Sequence, residues 1–278
     1  MDNKQNRFGI GLGMGFPEDA NTQIEAIARV GFDSCFTGWS EDFNMESRAN
    51  AIAKNGLIYQ SVHAPFNRVH KMWEAGEEGE RYTDMLIKCV EDCKRYDVGI
   101  MVAHVIIGMD RHFPTALGIT RFRRLVEAAE KAGVKIAFEN TEGIEYLQAV
   151  MDHLSGSPAC CFCWDTGHEQ CYNYGEDMMA RFGNKLVATH LNDNFGMADR
   201  NHMTWHDDSH VLPFDGINDW KSIIDRMDKV GYKGIYTMEL TRNPKPDKHT
   251  HDAYAAWDLE KFLSEALERM HRMVALRG

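Results

Sequence analysis

The sequence predicts an α/β fold, a single (β/α)8 barrel formed by residues 1–278. Eight short apolar runs alternate with longer stretches in which apolar residues recur at helical spacing. The short runs carry no polar face, which is typical of parallel strands that are covered on both sides. The length of 278 residues suits one closed barrel of about 250 residues, and no stretch has the composition of a linker. An open, doubly wound parallel sheet is the alternative that the same alternation allows.

Each predicted strand is a short apolar run that Gly, Pro, Asn or Asp residues delimit. Such residues end a strand because they favour turns over extended pairing. In chain order the eight predicted strands cover residues 8–14, 32–37, 57–63, 100–107, 135–140, 160–165, 186–192 and 234–240.

The predicted helices lie between these strands, where the apolar period changes from a continuous run to a helical spacing. They cover residues 21–30, 43–54, 80–96, 115–132, 144–154, 176–182, 218–230 and 253–274. Several are followed by a glycine that suits a left-handed helix cap, namely Gly31, Gly56, Gly133, Gly183 and Gly231. The longest connection without clear periodicity covers residues 193–215. Since most connections are about 4 to 6 residues long, this one is predicted to have a function.

Charge and composition exclude several classes of protein. The formal net charge of −11 repels phosphate backbones, so nucleic acid is not an expected partner. No run of apolar residues is long enough to span a membrane, and residues 1–7 are polar. We therefore expect a soluble, cytoplasmic protein without a membrane partner.

The seven cysteines indicate a reduced compartment, because their number is odd and three lie in one apolar run. Cys160 and Cys163 have the C-x-x-C spacing. On a strand, however, positions 160 and 163 point to opposite faces, so neither a redox pair nor a zinc clip is expected there.

Six of the eight predicted strands end in a side chain of a metal-ligating type. Burying ionisable groups at the ends of apolar strands is costly unless they are paired or coordinate a cation, and no strand end supplies a Lys or Arg. The strand ends therefore predict a shared divalent cation at one mouth of the barrel, with an ion-paired carboxylate network as the alternative. The six residues are His63, His104, Glu139, Asp165, His190 and Glu239.

The motifs at these strand ends occur in a recognisable order. They are H-A-P at 63–65, E-N at 139–140, W-D-T-G-H at 164–168, H-L-N-D at 190–193 and M-E-L at 238–240. This order, at barrel spacing and over nearly the whole chain, resembles the xylose isomerase-like TIM-barrel superfamily. That superfamily includes sugar and sugar phosphate isomerases and epimerases, inosose dehydratase relatives and, more distantly, endonuclease IV.

The resemblance implies a metal-dependent enzyme that acts on a sugar or sugar phosphate. One divalent ion would be held by Glu139, Asp165, His190 and Glu239. The implied reaction is an isomerisation or epimerisation by proton transfer next to a carbonyl, through an enediolate that the metal stabilises. Glu139 and Glu239 would act as acid and base. We expect Mn²⁺, while Zn²⁺, Co²⁺ or Mg²⁺ also suits these ligands.

The resemblance also suggests residues that contact the substrate, either through its hydroxyl groups or through an apolar face. Trp164 would join them only if it faced inward rather than toward the helices. The expected substrate-binding residues are His63, His104, His168, Trp39, Phe66 and Asn192.

Two other functions remain open. A dehydratase or lyase of a sugar or cyclitol would use the same metal. An endonuclease IV-like phosphodiesterase with three zinc ions would use further ligands, for which the matching positions are His63, His104, His168, Asp208 and His210. The loops around the site contain few Lys or Arg residues, which favours a small sugar over a polyanion. The identity of the sugar, its phosphorylation and self-association of the chain are left open.

Overall fold

The computed structural model describes residues 6–109 and 113–277. The chain forms one eight-stranded sheet in the order β7-β6-β5-β4-β3-β2-β1-β8, and all strand pairs are parallel. The predicted (β/α)8 barrel is confirmed. The strands are β1 (Phe8–Gly11), β2 (Ser34–Gly38), β3 (Ile58–His63), β4 (Ile100–Ala103), β5 (Lys135–Glu139), β6 (Cys160–Asp165), β7 (Leu186–His190) and β8 (Tyr236–Met238).

The barrel closes between β7 and β8 through a short parallel bridge rather than a full ladder. Leu191 pairs with Met238. The Leu191 amide donates to the carbonyl oxygen of Thr237 at 2.7 Å, and the Glu239 amide donates to that of Leu191 at 3.3 Å. These contacts hold the ends of β7 and β8 side by side, so residues 190 and 239 come together.

Helices cover the outside of the sheet, and most predicted helices are present with small shifts at their ends. Two begin later than predicted because an aspartate caps them: the Asp177 side chain accepts from the amide of Ala180, and the Asp258 side chain from that of Lys261. The helices are α1 (Ala20–Val30), α2 (Met45–Lys54), α3 (Glu77–Arg95), α4 (Ala116–Ala132), α5 (Ile144–Leu154), α6 (Thr166–Cys171), α7 (Met178–Phe182), α8 (Trp220–Lys229) and α9 (Leu259–Val274).

Two local predictions were wrong. Helix α6 was not predicted, because its six residues are too few to show a helical period. Gly183 is not a left-handed cap: its φ is −60° and it continues into a 3-10 turn, whereas Gly31, Gly56, Gly133 and Gly231 have positive φ. None of the helices described in the structure is long and apolar enough to cross a membrane.

The barrel interior contains a layer of small apolar side chains below the strand ends. Val102, Ala137, Cys163 and Ala188 form a buried cluster from four adjacent strands. Cys160 instead packs in the larger core between sheet and helices, so the two cysteines of the C-x-x-C sequence lie on opposite faces as predicted. All seven thiols are free and buried.

Candidate active site

The candidate site lies directly above this small-residue layer because side chains alternate along a strand. Two residues beyond Val102, Ala137, Cys163 and Ala188, the same inward face carries His104, Glu139, Asp165 and His190. The carboxyl ends of parallel barrel strands share one mouth, so these side chains converge. Trp164, between two inward residues, points outward: its indole donates to Glu169 at 2.9 Å, and the Arg226 guanidinium lies over its ring.

Glu139, Asp165, His190 and Glu239 form a compact cluster. Each offers one ligand atom, and these four atoms all lie within 4.8 Å of one another. His190 Nδ1 is 2.8 Å from Glu139 Oε1 and 3.3 Å from Glu239 Oε2. Glu139 and Asp165 are fully buried, whereas the Glu239 side chain is 27% exposed. The structure thus brings together the four predicted metal ligands.

The carboxylates and the imidazole of this cluster stabilise each other's charged forms. Burial opposes the charged form of Glu139, but the neighbouring imidazoles, His190 above all, outweigh it and hold the pKa of Glu139 well below its ordinary value. Burial likewise disfavours the His190 cation, yet the carboxylates of Glu239 and Glu139 raise the pKa of His190 well above its usual range. The cluster therefore attracts positive charge.

Asp165 is positioned by backbone and amide donors at the start of α6. Its Oδ1 accepts from the His168 amide at 2.7 Å, and its Oδ2 accepts from Asn192 Nδ2 at 2.9 Å. A side chain at Gly167 would collide with the Asn192 amide oxygen, so glycine is needed there for this contact. Burial raises the pKa of Asp165 to about 6, despite the nearby His168 and His210.

A second group of side chains lies beside the first and includes a loop aspartate. Asp208 Oδ1 is 3.5 Å from His168 Nε2 and 3.0 Å from His210 Nε2. Burial opposes its ionisation, but the two imidazoles, led by His210, hold the pKa of Asp208 well below its ordinary value. Asp165, His168 and His210 also have the spacing that could hold a metal ion.

The loop after β7 carries Asp208 and His210 and is fixed by Asp193. This buried carboxylate accepts from the Trp220 indole, from the Phe214 amide at 2.9 Å and from the Asn218 amide at 3.0 Å. The backbone of Asp193 also pairs with Val211. The long connection is therefore an ordered part of the site.

His63 and His104 complete the cluster on the side of β3 and β4. Their Nε2 atoms lie 3.3 and 3.1 Å from Glu139 Oε2. Burial lowers the pKa of His104 despite the Glu139 carboxylate, whereas at His63 the carboxylate outweighs burial and raises the pKa. The Phe66 ring stacks on His104 with a centroid distance of 4.4 Å.

Two aromatic rings contact the ring of His190. Phe36 stacks on it at a centroid distance of 4.8 Å, and His63, at the end of β3, lies nearly parallel to it at 5.7 Å. Phe36 fits because residue 11 is glycine: a Cβ there would lie 2.5 Å from the Phe36 ring. Sequence reasoning missed this support, because residues 11, 36 and 190 are far apart in the chain.

A cavity of about 560 Å³ opens above the cluster. Of the predicted substrate-binding residues, His63, His104, His168 and Phe66 line it, as do Asp208, His210 and Glu239. Trp39 is placed elsewhere: it is buried, and its indole donates to Asp92 on α3 at 3.1 Å. Asn192 is fully buried against Asp165 and supports that ligand instead of contacting the cavity.

Several cavity residues were not predicted. Glu142, Tyr172 and Trp205 line the cavity, and so does Lys245, the one Lys or Arg among the described lining residues. Lys245 Nζ lies 3.5 Å from Asp208 Oδ2. Glu142 and Lys245 lie in loops, Tyr172 directly follows the short helix α6, and Trp205 begins a 3-10 turn. Periodicity carries no signal for any of these positions. Only the length of the loop after β7 indicated that Trp205 belongs to a functional segment.

The donor set fits a divalent cation. Within residues 6–109 and 113–277, the ion pairs of Glu139, Asp165 and Glu239 are with histidines alone. Three carboxylates held this close repel one another, and a shared cation would relieve that repulsion. Carboxylate oxygens with one imidazole nitrogen are ligands for Mn²⁺, Mg²⁺, Co²⁺ or Zn²⁺.

Comparison with known proteins agrees with this architecture. A family model described as "Xylose isomerase-like TIM barrel" matches residues 24–264. An uncharacterised protein of Methanocaldococcus jannaschii is 22% identical, with 97% of this chain and 92% of that protein covered. An uncharacterised protein of Sinorhizobium fredii is 36% identical over 112 residues, and the match spans only 38% of this chain and 33% of that relative.

Solved structures with the same fold share little sequence with this chain. The IolI protein with a bound zinc atom superposes with a TM-score of 0.77 at 15% identity and covers 97% of this chain and 98% of its own. D-allulose 3-epimerase from Methylomonas sp., in complex with D-allulose, has a TM-score of 0.73 at 15% identity and covers 97% of both chains. D-psicose 3-epimerase from Clostridium cellulolyticum H10, with D-tagatose, has a TM-score of 0.72 at 16% identity and covers 97% of this chain and 99% of its own.

Proposed function

Because the chain belongs to the xylose isomerase-like TIM barrel family, we propose that it is a divalent-metal-dependent isomerase or epimerase of a sugar or sugar phosphate. The convergence of Glu139, Asp165, His190 and Glu239 within 4.8 Å carries this proposal. A bound divalent ion would polarise a substrate carbonyl and stabilise the negative charge that forms next to it. Mn²⁺ is our first choice, with Zn²⁺, Co²⁺ and Mg²⁺ as alternatives.

Glu239 is the better placed of the two proposed acid/base residues. Its carboxylate lines the cavity and is partly exposed, whereas Glu139 is enclosed by His63, His104 and His190. Burial opposes ionisation of Glu239, but His190 lowers its pKa to about 2, so at neutral pH it is in the form that accepts a proton. We assign proton abstraction from the substrate carbon to Glu239.

The role of Glu139 distinguishes the two reactions. An epimerisation needs a second group that returns the proton on the opposite face, and Glu139, from β5, is the candidate. An aldose–ketose isomerisation uses one face and would need Glu239 alone. His63, His104 and His168 line the cavity and would hold substrate hydroxyl groups by hydrogen bonds.

Solvent deuterium tests this proposal. Mn²⁺-loaded protein would be incubated in D2O with a panel of ketoses, aldoses and their phosphates, and the products analysed by NMR. Deuterium entering one carbon next to the carbonyl is expected, and the structure of the product distinguishes an epimerisation from an aldose–ketose isomerisation. Loss of water from a sugar or cyclitol in the same panel would identify a dehydratase instead. Absence of both reactions across the panel would count against a carbonyl-directed enzyme.

A phosphodiesterase with several metal ions is the second candidate, and the group formed by His168, Asp208 and His210 favours it. Together with His63, His104 and the four residues of the proposed metal centre, these three give nine potential ligands, as in the endonuclease IV resemblance. Against it, Lys245 is the one Lys or Arg among the described lining residues, which gives a polyanion little to bind. Three zinc ions per chain with cleavage of abasic DNA would favour this candidate, and one ion favours the sugar enzyme.

A further inference from the structure

The cavity has two chemically different parts. Its floor is formed by the imidazoles and carboxylates of the metal-ligating clusters. Apolar side chains line the rest of the cavity together with Glu142, Thr241, Asn243 and Lys245. Two of its aromatic residues are strongly exposed and so mark the outer part of the cavity: Phe66 at 41% and Trp205 at 50%. The apolar lining residues are Phe66, Ile107, Tyr172, Trp205, Leu240 and Pro244.

The volume of the cavity exceeds what a single monosaccharide needs. Cavities of roughly 300–1,000 Å³ hold drug-sized ligands, and this one measures about 560 Å³. A sugar whose hydroxyl groups bind the polar floor would leave the outer part unfilled. The Phe66 ring and the faces of the Trp205 indole offer no hydrogen bonds to further hydroxyl groups, so a longer sugar chain would be a poor occupant between them.

Both exposed aromatic rings are held in place by contacts with residues of the cavity floor, directly for Phe66 and through Lys245 for Trp205. Phe66 stacks on His104 at 4.4 Å, with an angle of 20° between the rings, and meets His63 edge-on at 5.5 Å. Trp205 carries the Lys245 ammonium 5.4 Å from its ring centre, and Lys245 in turn pairs with Asp208. Rigid aromatic surfaces of this kind bind planar groups at little cost in conformational entropy.

We infer that the outer part of the cavity, between Phe66 and Trp205, is a binding subsite for an apolar, planar substituent carried by the sugar. The inference rests on the proposed function for the sugar half of the ligand. The expected ligand class is an aryl-substituted sugar, with the sugar on the metal-ligating floor and the aromatic ring against Phe66 and Trp205. Stacking on aromatic side chains supplies the preference for an aryl group over a small alkyl group.

A binding experiment tests this subsite independently of turnover. Phenyl β-D-glucopyranoside and methyl β-D-glucopyranoside would be titrated into Mn²⁺-loaded protein by calorimetry. We expect the phenyl compound to bind about tenfold more tightly. In Phe66→Ala and Trp205→Ala, the ratio of the two affinities should fall toward one.

Phe195→Ala is the matched control, because Phe195 is 45% exposed but does not line the cavity. Its affinity ratio should equal that of the unaltered protein. Equal affinities for the two compounds, or a ratio unchanged in Phe66→Ala and Trp205→Ala, would overturn the subsite. The subsite stands without the proposed function if the phenyl preference is found but no sugar takes up deuterium. If free sugars are turned over and no phenyl preference exists, the proposed function stands and the subsite fails.

Discussion

Glu239 lines the cavity with a quarter of its side chain exposed, so its chemistry can be altered with little effect on packing. Glu239→Gln keeps the volume and removes the proton acceptor. We expect the rate of deuterium incorporation to fall by a factor of about 100 or more, with an unchanged circular dichroism spectrum. Glu25→Gln, on the exposed face of α1, is the matched control. Full activity of Glu239→Gln would contradict the acid/base assignment.

Asn192 is fully buried and donates to Asp165 Oδ2, so we expect it to act through Asp165 rather than on a substrate. Asn192→Asp would replace this donor with a second negative charge. We expect Mn²⁺ affinity, measured by titration of metal-free protein, to drop by roughly 10–100-fold. Asn184→Asp, at an exposed position, should bind Mn²⁺ normally. Equal affinities of the two variants would show that Asn192 does not position the ligand.

The residues of the cavity floor could be predicted from the sequence, because they lie at the carboxyl ends of recognisable strands. In a barrel those strand ends share one mouth. Sequence reasoning did not reach Phe36 or Lys245, since each acts through a contact with a residue distant in the chain. Trp39 illustrates the opposite error. An aromatic residue after a strand suggested a sugar contact. The Trp39 side chain instead points toward α3, because its indole donates to Asp92 on that helix.

At the scale of elements, β1 and β2 support the site through the fit of Phe36 over Gly11. Gly11→Ala would press a methyl group into the Phe36 ring and through it against His190. We expect a loss of about 1–3 kcal/mol in the free energy of unfolding and weaker Mn²⁺ binding. Gly38→Ala, at the end of β2 with open space around it, should leave both unchanged. Urea denaturation and metal titration of the two variants measure the difference, and identical behaviour would refute the packing argument.

Helix α6 presents His168 and is anchored from outside the barrel by α8. Arg226 Nη1 donates to the buried Glu169 carboxylate at 2.7 Å. Arg226→Met would leave that carboxylate without its cation. We expect the free energy of unfolding to fall by roughly 3 kcal/mol, as for other broken buried pairs. Lys221→Met breaks an exposed pair with Asp225 on the same helix and should cost about 1 kcal/mol or less. Similar losses in both variants would argue against α6 anchoring.

A helix or strand could be predicted from the sequence where it was long enough to show its hydrophobic period. Helix α5 was predicted with its observed bounds, and so was β6. Other strands end earlier than predicted, because the apolar residues after β1 and β4 continue as buried loop and not as paired strand. Helix α6 has a start signal in Asp165, whose side chain accepts from the His168 amide, but that residue was interpreted as a ligand alone.

For the whole molecule, regular alternation was enough to predict the barrel and the mouth at which polar side chains gather. The closure between β7 and β8 and the path of the loop after β7 depend on contacts such as those of Asp193 with Trp220 and Phe214. These contacts decide that Asp208 and His210 reach the site. Only the fold could show that Trp205 lines the same cavity as Phe66.

The metal content of the purified protein tests the central claim most directly. Metal-free protein would be dialysed against Mn²⁺, and the bound ions per chain would be measured by inductively coupled plasma mass spectrometry. The His190→Ala variant would be treated in the same way. The account predicts that the unaltered chain retains an ion at the centre formed by Glu139, Asp165, His190 and Glu239, and that His190→Ala retains one ion fewer. Equal metal content in the two proteins, or none in either, would contradict it.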